Sequence, residues 1–332
     1  MAAQRNTVAL SIYRYNPDTT KPPRYDRFVL KGIKADDQLL DLLEKVKQQM
    51  DSTLAYRKSC RHGICGSCAV KVNGVPVLAC KSNVKDLIAQ YGSELSIDPL
   101  NTAHVHRDLI IDMDAFWKKY QSVRPYLEGT AADSSTYGRE PASAEKRIFP
   151  GKMDLVQDAD YCIQCGACYY VCPVVRVNGR FLGPAALTKA YRFAADARDF
   201  SSKRLEIVHE QYSGVWDCAK CLLCVEACPK HINPFQKITA LHEMGTERSI
   251  RVQTEHYRHA RVFNRQVRRT GYINEFFLAL NTLRFGMRKM LLRGVLLVFK
   301  GKMRFNFLFP RSVKRYELRD ILQKHRRKGG SR

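Results

Sequence analysis

The sequence predicts an α+β chain in which a strand-rich N-terminal domain precedes an all-helical one. Two observations carry that reading. Residues 8–13 (VALSIY) alternate side chains in the period of a half-buried strand, and shorter strand-like runs lie at 28–30 and 69–72. From about residue 151 the pattern changes to helix-forming stretches interrupted by two copies of the run C-x2-C-x2-C-x3-C-P, 56 residues apart.

The elements follow in order. Residues 38–46 (QLLDLLEKV) put leucine and valine at helical spacing. Asn73-Gly74, set between two valines, predicts a two-residue hairpin turn, whose central positions need positive φ. A further helix is expected near residues 112–120. Residues 129–146 (GTAADSSTYGREPASAEK) are small and polar, the composition of an exposed connector. Gly183-Pro184 starts a helix, because proline in the first turn forfeits no intrahelical bond, and good helix formers continue to residue 198. The expected boundaries are a strand-rich domain at 5–105, a connecting helix and linker at 106–150, a helical domain at 151–245 and a C-terminal extension at 246–332.

The extension is where the charge resides. The chain of 332 residues carries a net +24. Its last 90 residues hold 6 Lys and 17 Arg against 5 Glu and 1 Asp, a net +17. Within it Phe276, Leu280, Leu283, Met287, Leu291 and Val295 step at three or four, with Arg284, Arg288, Lys289 and Arg293 between them. The longest uncharged run there, residues 276–283, is far short of the ~20 residues a bilayer span needs. The expectation is a basic amphipathic helix lying on an anionic membrane surface or on a partner.

Twelve cysteines fall into three sets of four with none left over. Cys60, Cys65, Cys68 and Cys80 follow C-x4-C-x2-C-x11-C, the plant-type spacing for a [2Fe–2S] cluster. Cys162, Cys165, Cys168 and Cys172, then Cys218, Cys221, Cys224 and Cys228, follow the spacing of two-cluster bacterial ferredoxins, in which the fourth cysteine of each run ligates the other cluster. That rule groups Cys162, Cys165, Cys168 and Cys228 on one [4Fe–4S] cluster. Cys172, Cys218 and Cys224 then share the third site with Cys221. With Cys221 as a ligand that site holds [4Fe–4S], the favoured reading; without it, [3Fe–4S].

The alternatives fit less well. Disulfides are disfavoured by the tight pitch and by an N-terminus that enters a strand without a secretory signal. Structural zinc sites join two C-x2-C knuckles across a long spacer, unlike three cysteines at one pitch. Unpaired thiols imply a reducing compartment, most simply a bacterial or archaeal cytoplasm. Arg57, Lys58, Arg61 and His62 are candidate tuners of the first site, or charges facing a partner or solvent. His256 and His259, three apart among arginines, read as a solvated basic face. No paired-carboxylate, G-x-S-x-G, P-loop or dinucleotide-binding motif occurs, so the chain carries electrons and performs no bond chemistry. A cluster-bearing nucleic-acid protein is the reading from another class; three clusters exceed any structural need, and no nucleic acid is expected.

SCRHGICGSCAVKVNG with Cys80, CIQCGACYYVCP, FLGPAALTKAYRFAADARD and CAKCLLCVEACPKHINP together resemble the iron–sulfur subunit of succinate dehydrogenase or fumarate reductase over residues 5–245. The resemblance implies a β-grasp ferredoxin domain followed by a helical ferredoxin domain. It implies electrons passing between FAD on a flavoprotein subunit, which the first cluster faces, and quinone at a membrane anchor, which the third faces. The place would be the cytoplasmic face of the inner membrane, as a peripheral subunit. The sequence departs from the family in three places. Most members lack a cysteine at the position of Cys221. Many carry a tryptophan shortly after the Cys172-Pro173 pair and a histidine directly after the Cys218 position, near the quinone. Here Val174-Val175-Arg176 and Ala219 stand there. A branch with four cysteines at the third site, and the heterodisulfide reductases as alternative, hand electrons to a cysteine-rich partner, which is the acceptor this implies.

Overall fold

A computed structural model describes residues 7–19, 21–34, 36–128, 150–199, 203–210, 212–247, 255–270 and 273–283. The connector at 129–146 and the extension beyond residue 283, with Met287, Leu291 and Val295, lie outside the described residues. The chain divides into two compact units, Met1–Ile250 and Arg251–Arg332.

The first unit opens with β1 (Thr7–Arg14) and β2 (Arg24–Lys31), then α1 (Leu39–Gln49), β3 (Ala69–Val72), β4 (Val75–Leu78), α2 (Val84–Tyr91) and β5 (Glu94–Asp98). The strands form one mixed sheet in the order β2-β1-β5-β3-β4, with β1 and β5 parallel and the other neighbours antiparallel. Leu39, Leu40, Leu42, Leu43 and Val46 share the buried face of α1 and join Val8, Leu10, Ile12, Val72, Leu95 and Ile97 in one core. Asn73 and Gly74 both take positive φ, 48° and 84°, as the hairpin between β3 and β4 requires. Arg14 leaves this sheet pointing inward, 5% exposed, and is saturated there. It pairs with Asp26, Asp51 and Asp108 and donates to Thr53 Oγ1 at 2.8 Å.

A short pair, β6 (Val105–Arg107) and β7 (Ile110–Ile111), leads into α3 (Asp114–Ser122). The helical half then contains α4 (Pro150–Asp160), α5 (Ala167–Tyr170), α6 (Pro173–Val177), α7 (Pro184–Ala194), α8 (Lys203–Val208), a single 3-10 turn at Val215–Asp217, α9 (Leu223–Glu226) and α10 (Pro234–Glu247). Helix α7 is the hub, packed against α3, α4, α5, α8 and α10, and nine of its eleven residues are buried. Gly183 starts it at φ +85°, and a Cβ there would meet the Tyr169 ring at 2.7 Å. The helix predicted to reach residue 198 ends at Ala194, where Asp196 collects the guanidinium groups of Arg192 and Arg198.

The two halves of this unit are stitched by α3. Gln164 Nε2 donates to Tyr120 Oη at 2.7 Å, and Tyr170 Oη donates to the Asp112 carbonyl at 2.8 Å. Arg204, fully buried, donates to the carbonyls of Val123, Arg124 and Tyr126 and pairs with Asp199.

In the second unit, α11 (Glu255–Thr270) and α12 (Glu275–Leu283) form a helical hairpin. Arg258 Nε donates to the Thr282 carbonyl at 3.3 Å, and the Asn274 amide donates to Gln266 Oε1 at 2.8 Å. Among the described residues no helix is long and apolar enough to cross a membrane.

Candidate metal centres

The first cysteine loop is shaped by backbone that ordinary side chains resist. Arg61, Gly63 and Gly66 take φ of 58°, 68° and 71°, which turns successive N–H groups inward. The amides of His62, Ile64 and Cys65 all donate to Cys60 Sγ, at 3.4, 3.4 and 3.3 Å. Those donors, Cys65 foremost, pull the Cys60 thiol down to about 6. Thiolate character with amide donors is what a cluster sulfur ligand requires. Cys68 and Cys80 close the site from inside the sheet's core, and burial drives Cys68 up to about 12. Lys58 and Arg61 both pair with Glu44 on α1, so their charge is spent on fastening the loop to that helix. Glu44 was not foreseeable from the sequence, because the pairing depends on how α1 crosses the sheet.

In the helical half the two repeated runs fold alike. Gln164 and Lys220 both sit at φ 55°, and Gly166 and Leu222 at 81° and 65°. The second and fourth residues after Cys162 and after Cys218 therefore share one conformation. Backbone amides of Gln164 and Lys220 bond Cys162 and Cys218 in turn. Each loop wraps one side of a cavity, and the fourth cysteine of each run crosses to the other. Cys162, Cys165, Cys168 and Cys228 line one space of about 390 Å³, part of it open to solvent. Cys172, Cys218, Cys221 and Cys224 line the other, of about 350 Å³. The structure thus brings together the sets expected from spacing, Cys221 included. Helix α7 is the wall between them: Pro184 faces the second of these cavities, and Ala185 and Thr188 the first. Small residues at its start let it fit there.

The donor chemistry suits iron–sulfur clusters. All twelve cysteines are free thiols. Burial raises Cys162, Cys172 and Cys218, lifts Cys165 to about 11 and Cys224 to about 12, and puts Cys168 well above its ordinary value. Thiols so placed stay protonated at neutral pH until metal takes the proton's place. Among the described residues no three or more His, Cys, Asp or Glu side chains converge closely enough for a single metal ion; the thiols instead ring cavities.

Near the Cys218 loop, Trp216 Nε1 donates to His209 Nδ1 at 2.9 Å, and the His242 ring meets the indole edge to face with centroids 4.2 Å apart. The Nε2 atoms of His209 and His242 lie 3.0 and 2.9 Å from the Leu241 and Val215 carbonyls. Neither histidine stood out in the sequence, since neither sits in a cysteine run. His259, exposed, stacks on Phe263; the side chain of His256 lies outside the described residues.

Two family descriptions match this chain: a 2Fe-2S iron-sulfur cluster binding domain over residues 9–118 and a 4Fe-4S dicluster domain over residues 158–232. The fumarate reductase iron-sulfur subunit of Haemophilus influenzae is 35% identical over 244 residues, covering 71% of this chain and 92% of that protein. The mitochondrial succinate dehydrogenase [ubiquinone] iron-sulfur subunit of Dictyostelium discoideum is 37% identical, covering 70% of this chain and 80% of that protein. A chain of the Mycobacterium smegmatis Sdh1 complex in the apo form shares the fold at a TM-score of 0.62 and 23% identity, over 73% of this chain and 97% of that one. On these identities and on both cluster-domain matches, the chain belongs to the iron–sulfur subunits of fumarate reductase and succinate dehydrogenase, the electron-transfer components of that oxidoreductase.

Proposed function

We propose that the three sites hold [2Fe–2S] on Cys60, Cys65, Cys68 and Cys80, [4Fe–4S] on Cys162, Cys165, Cys168 and Cys228, and a second [4Fe–4S] on Cys172, Cys218, Cys221 and Cys224. They join FAD on a flavoprotein subunit to a membrane-bound quinone-side subunit. The clusters supply one-electron chemistry; the chain supplies thiols, inward amides and insulation. The observation that carries this reading is the matched conformation of the two repeated loops. Because Leu222 copies the left-handed geometry of Gly166, Cys221 stands in its loop as Cys165 does in its own, which favours four ligands at the third site. The mixed sheet crossed by α1 supports a β-grasp domain around the first site.

The surroundings support the partners. Cys221 is exposed and is followed by exposed Leu222 and Leu223, while Val177 at the end of α6 is 87% exposed. Apolar side chains beside a redox site suit a membrane subunit as acceptor. On α11, Arg261, Arg265 and Arg268 are exposed, which suits attraction to an anionic lipid surface at about 1 kcal/mol per basic residue. The position is peripheral, at the cytoplasmic face of the inner membrane.

Electron paramagnetic resonance of the anaerobically purified complex, with iron analysis, tests the assignment. The expected result is about ten irons per chain, a reduced [2Fe–2S] signal, and no [3Fe–4S] signal in the oxidised protein. An oxidised [3Fe–4S] signal would remove Cys221 from the third site; a colourless, zinc-loaded protein would end the proposal.

A further inference from the structure

The first cysteine loop and the second are in direct contact, and a single glycine makes that contact possible. Gly66 lies between Cys65 and Cys68 at φ +71°, and a Cβ on it would stand 2.9 Å from Cys165 Cα, 2.9 Å from Cys165 Cβ and 2.9 Å from the Ile163 carbonyl oxygen. All three are backbone or Cβ atoms of a cysteine loop, with no flexible side chain to give way. Other positive-φ glycines of the same half lack this property: Gly74 and Gly92 have nothing within 4 Å, and Gly63 meets chiefly the Lys81 side chain. Behind the contact, Ile163 and Cys165 pack against the core of the N-terminal sheet, so the seam is held from both sides.

We infer that Gly66 and Cys165 form the electron-transfer junction between the first and second sites, and that Gly66 is glycine to keep that junction closed. This inference rests on the cluster assignment above. Gly66 is covalently joined to Cys65, so the bonded path from Cys65 Sγ to Cys165 Sγ is broken by one van der Waals step. One electron crosses it; the site on Cys65 is oxidised by one and the site on Cys165 reduced by one, with no proton or bond exchanged. A Cβ at Gly66 would push the facing atoms back by roughly 0.6–1.1 Å to reach ordinary carbon contact distance. Through-space transfer falls steeply with distance, so opening the seam slows it.

The test measures electron transfer between the first and second sites by flash photoreduction of the full complex, in Gly66→Ala, Ile163→Ala and Gly74→Ala, with iron content and electron paramagnetic resonance on each. Gly66→Ala is expected to retain its signals while transfer slows several-fold; Gly74→Ala, strained by the same positive φ but facing open space, keeps the wild-type rate. Ile163→Ala loosens the seam from the opposite side and slows transfer less. Should Gly66→Ala fail to assemble its first centre, Ile163→Ala decides: slowed transfer supports the junction. Wild-type rates in every variant that carries both signals overturn it. Absence of the two-iron signal from the wild-type protein would sink the cluster assignment instead, so the two failures are distinguishable.

Discussion

Leu222 pays a conformational cost that its counterpart avoids. A left-handed backbone costs a non-glycine residue roughly 1–2 kcal/mol, and Gly166 fills the equivalent position without it. Leu222 is 44% exposed, so its side chain packs only in part, on the wall of the Cys172 cavity. Leu222→Gly should therefore stabilise the Cys218 loop by about 1 kcal/mol, read as slower loss of iron from the third site during air exposure or denaturant titration. At the neighbouring position, Cys221→Ser should convert the third site alone to [3Fe–4S]. The oxidised protein would gain the signal its parent lacks, and iron content would fall by about one per chain. These residues were legible in the sequence to different degrees. Cysteine spacing groups the thiols that the two cavities of the helical half bring together, because three of each four lie on one loop. The strain at Leu222 and the contact at Gly66 were not legible, since φ and the facing surface are decided by the closed structure.

At the scale of elements, α7 separates two cysteine-lined cavities with Pro184 and Ala185, so its first turn tolerates no bulk. Ala185 is 2% exposed and lines the Cys162 cavity. Ala185→Leu should cost about 1–3 kcal/mol through overpacking and deplete the second centre, leaving the [2Fe–2S] signal intact, which iron analysis and spectroscopy together would show. Helix α7, helix α1, strands β1 and β3 and the Asn73-Gly74 hairpin all follow from local signals: a proline start, helical periodicity, alternation and a turn dipeptide. Strand β5 does not. ELSID is short, and its parallel partner β1 begins about 87 residues earlier. Helix α2 is only eight residues long and owes its place to packing of Val84 and Leu87. The end of α7 also escaped the sequence: Asp196 gathers Arg192 and Arg198 locally, but Arg192 is held as well by Asp160 on α4, a partner set by tertiary packing.

For the molecule as a whole, acid should act in two stages. His242 is pushed down to about 4, first by burial, so it folds neutral. Its contribution is complete above its ordinary value of 6.5 and is lost as pH falls from there toward 4. Asp51 and Asp196 behave in the next window. Burial alone would raise them, but Thr53 and Arg14 outweigh it at Asp51, and Arg198 and Arg192 at Asp196, bringing each to about 2. Their contribution is present above 3.8 and lost as pH falls toward 2. Stability measured by denaturant titration should decline gently from pH 6.5, then steeply below pH 4. Fluorescence of Trp216, whose ring lies against His242, should stay constant in the folded protein as pH falls from 6.5 and change only near pH 4, where the folded imidazole takes up its proton; a change centred near 6.5 would contradict the burial of a neutral His242.

The buried cysteines also tie metal loading to folding. Cys172, Cys224 and Cys228 are buried thiols in the packed half, with α7 closing both cavities from within. Both cavities nonetheless open in part to solvent, and Cys221 of the second is exposed. Metal must displace the proton of each buried thiol as the ligands gather, so loading of the proposed clusters and final packing of the helical half are expected to proceed together.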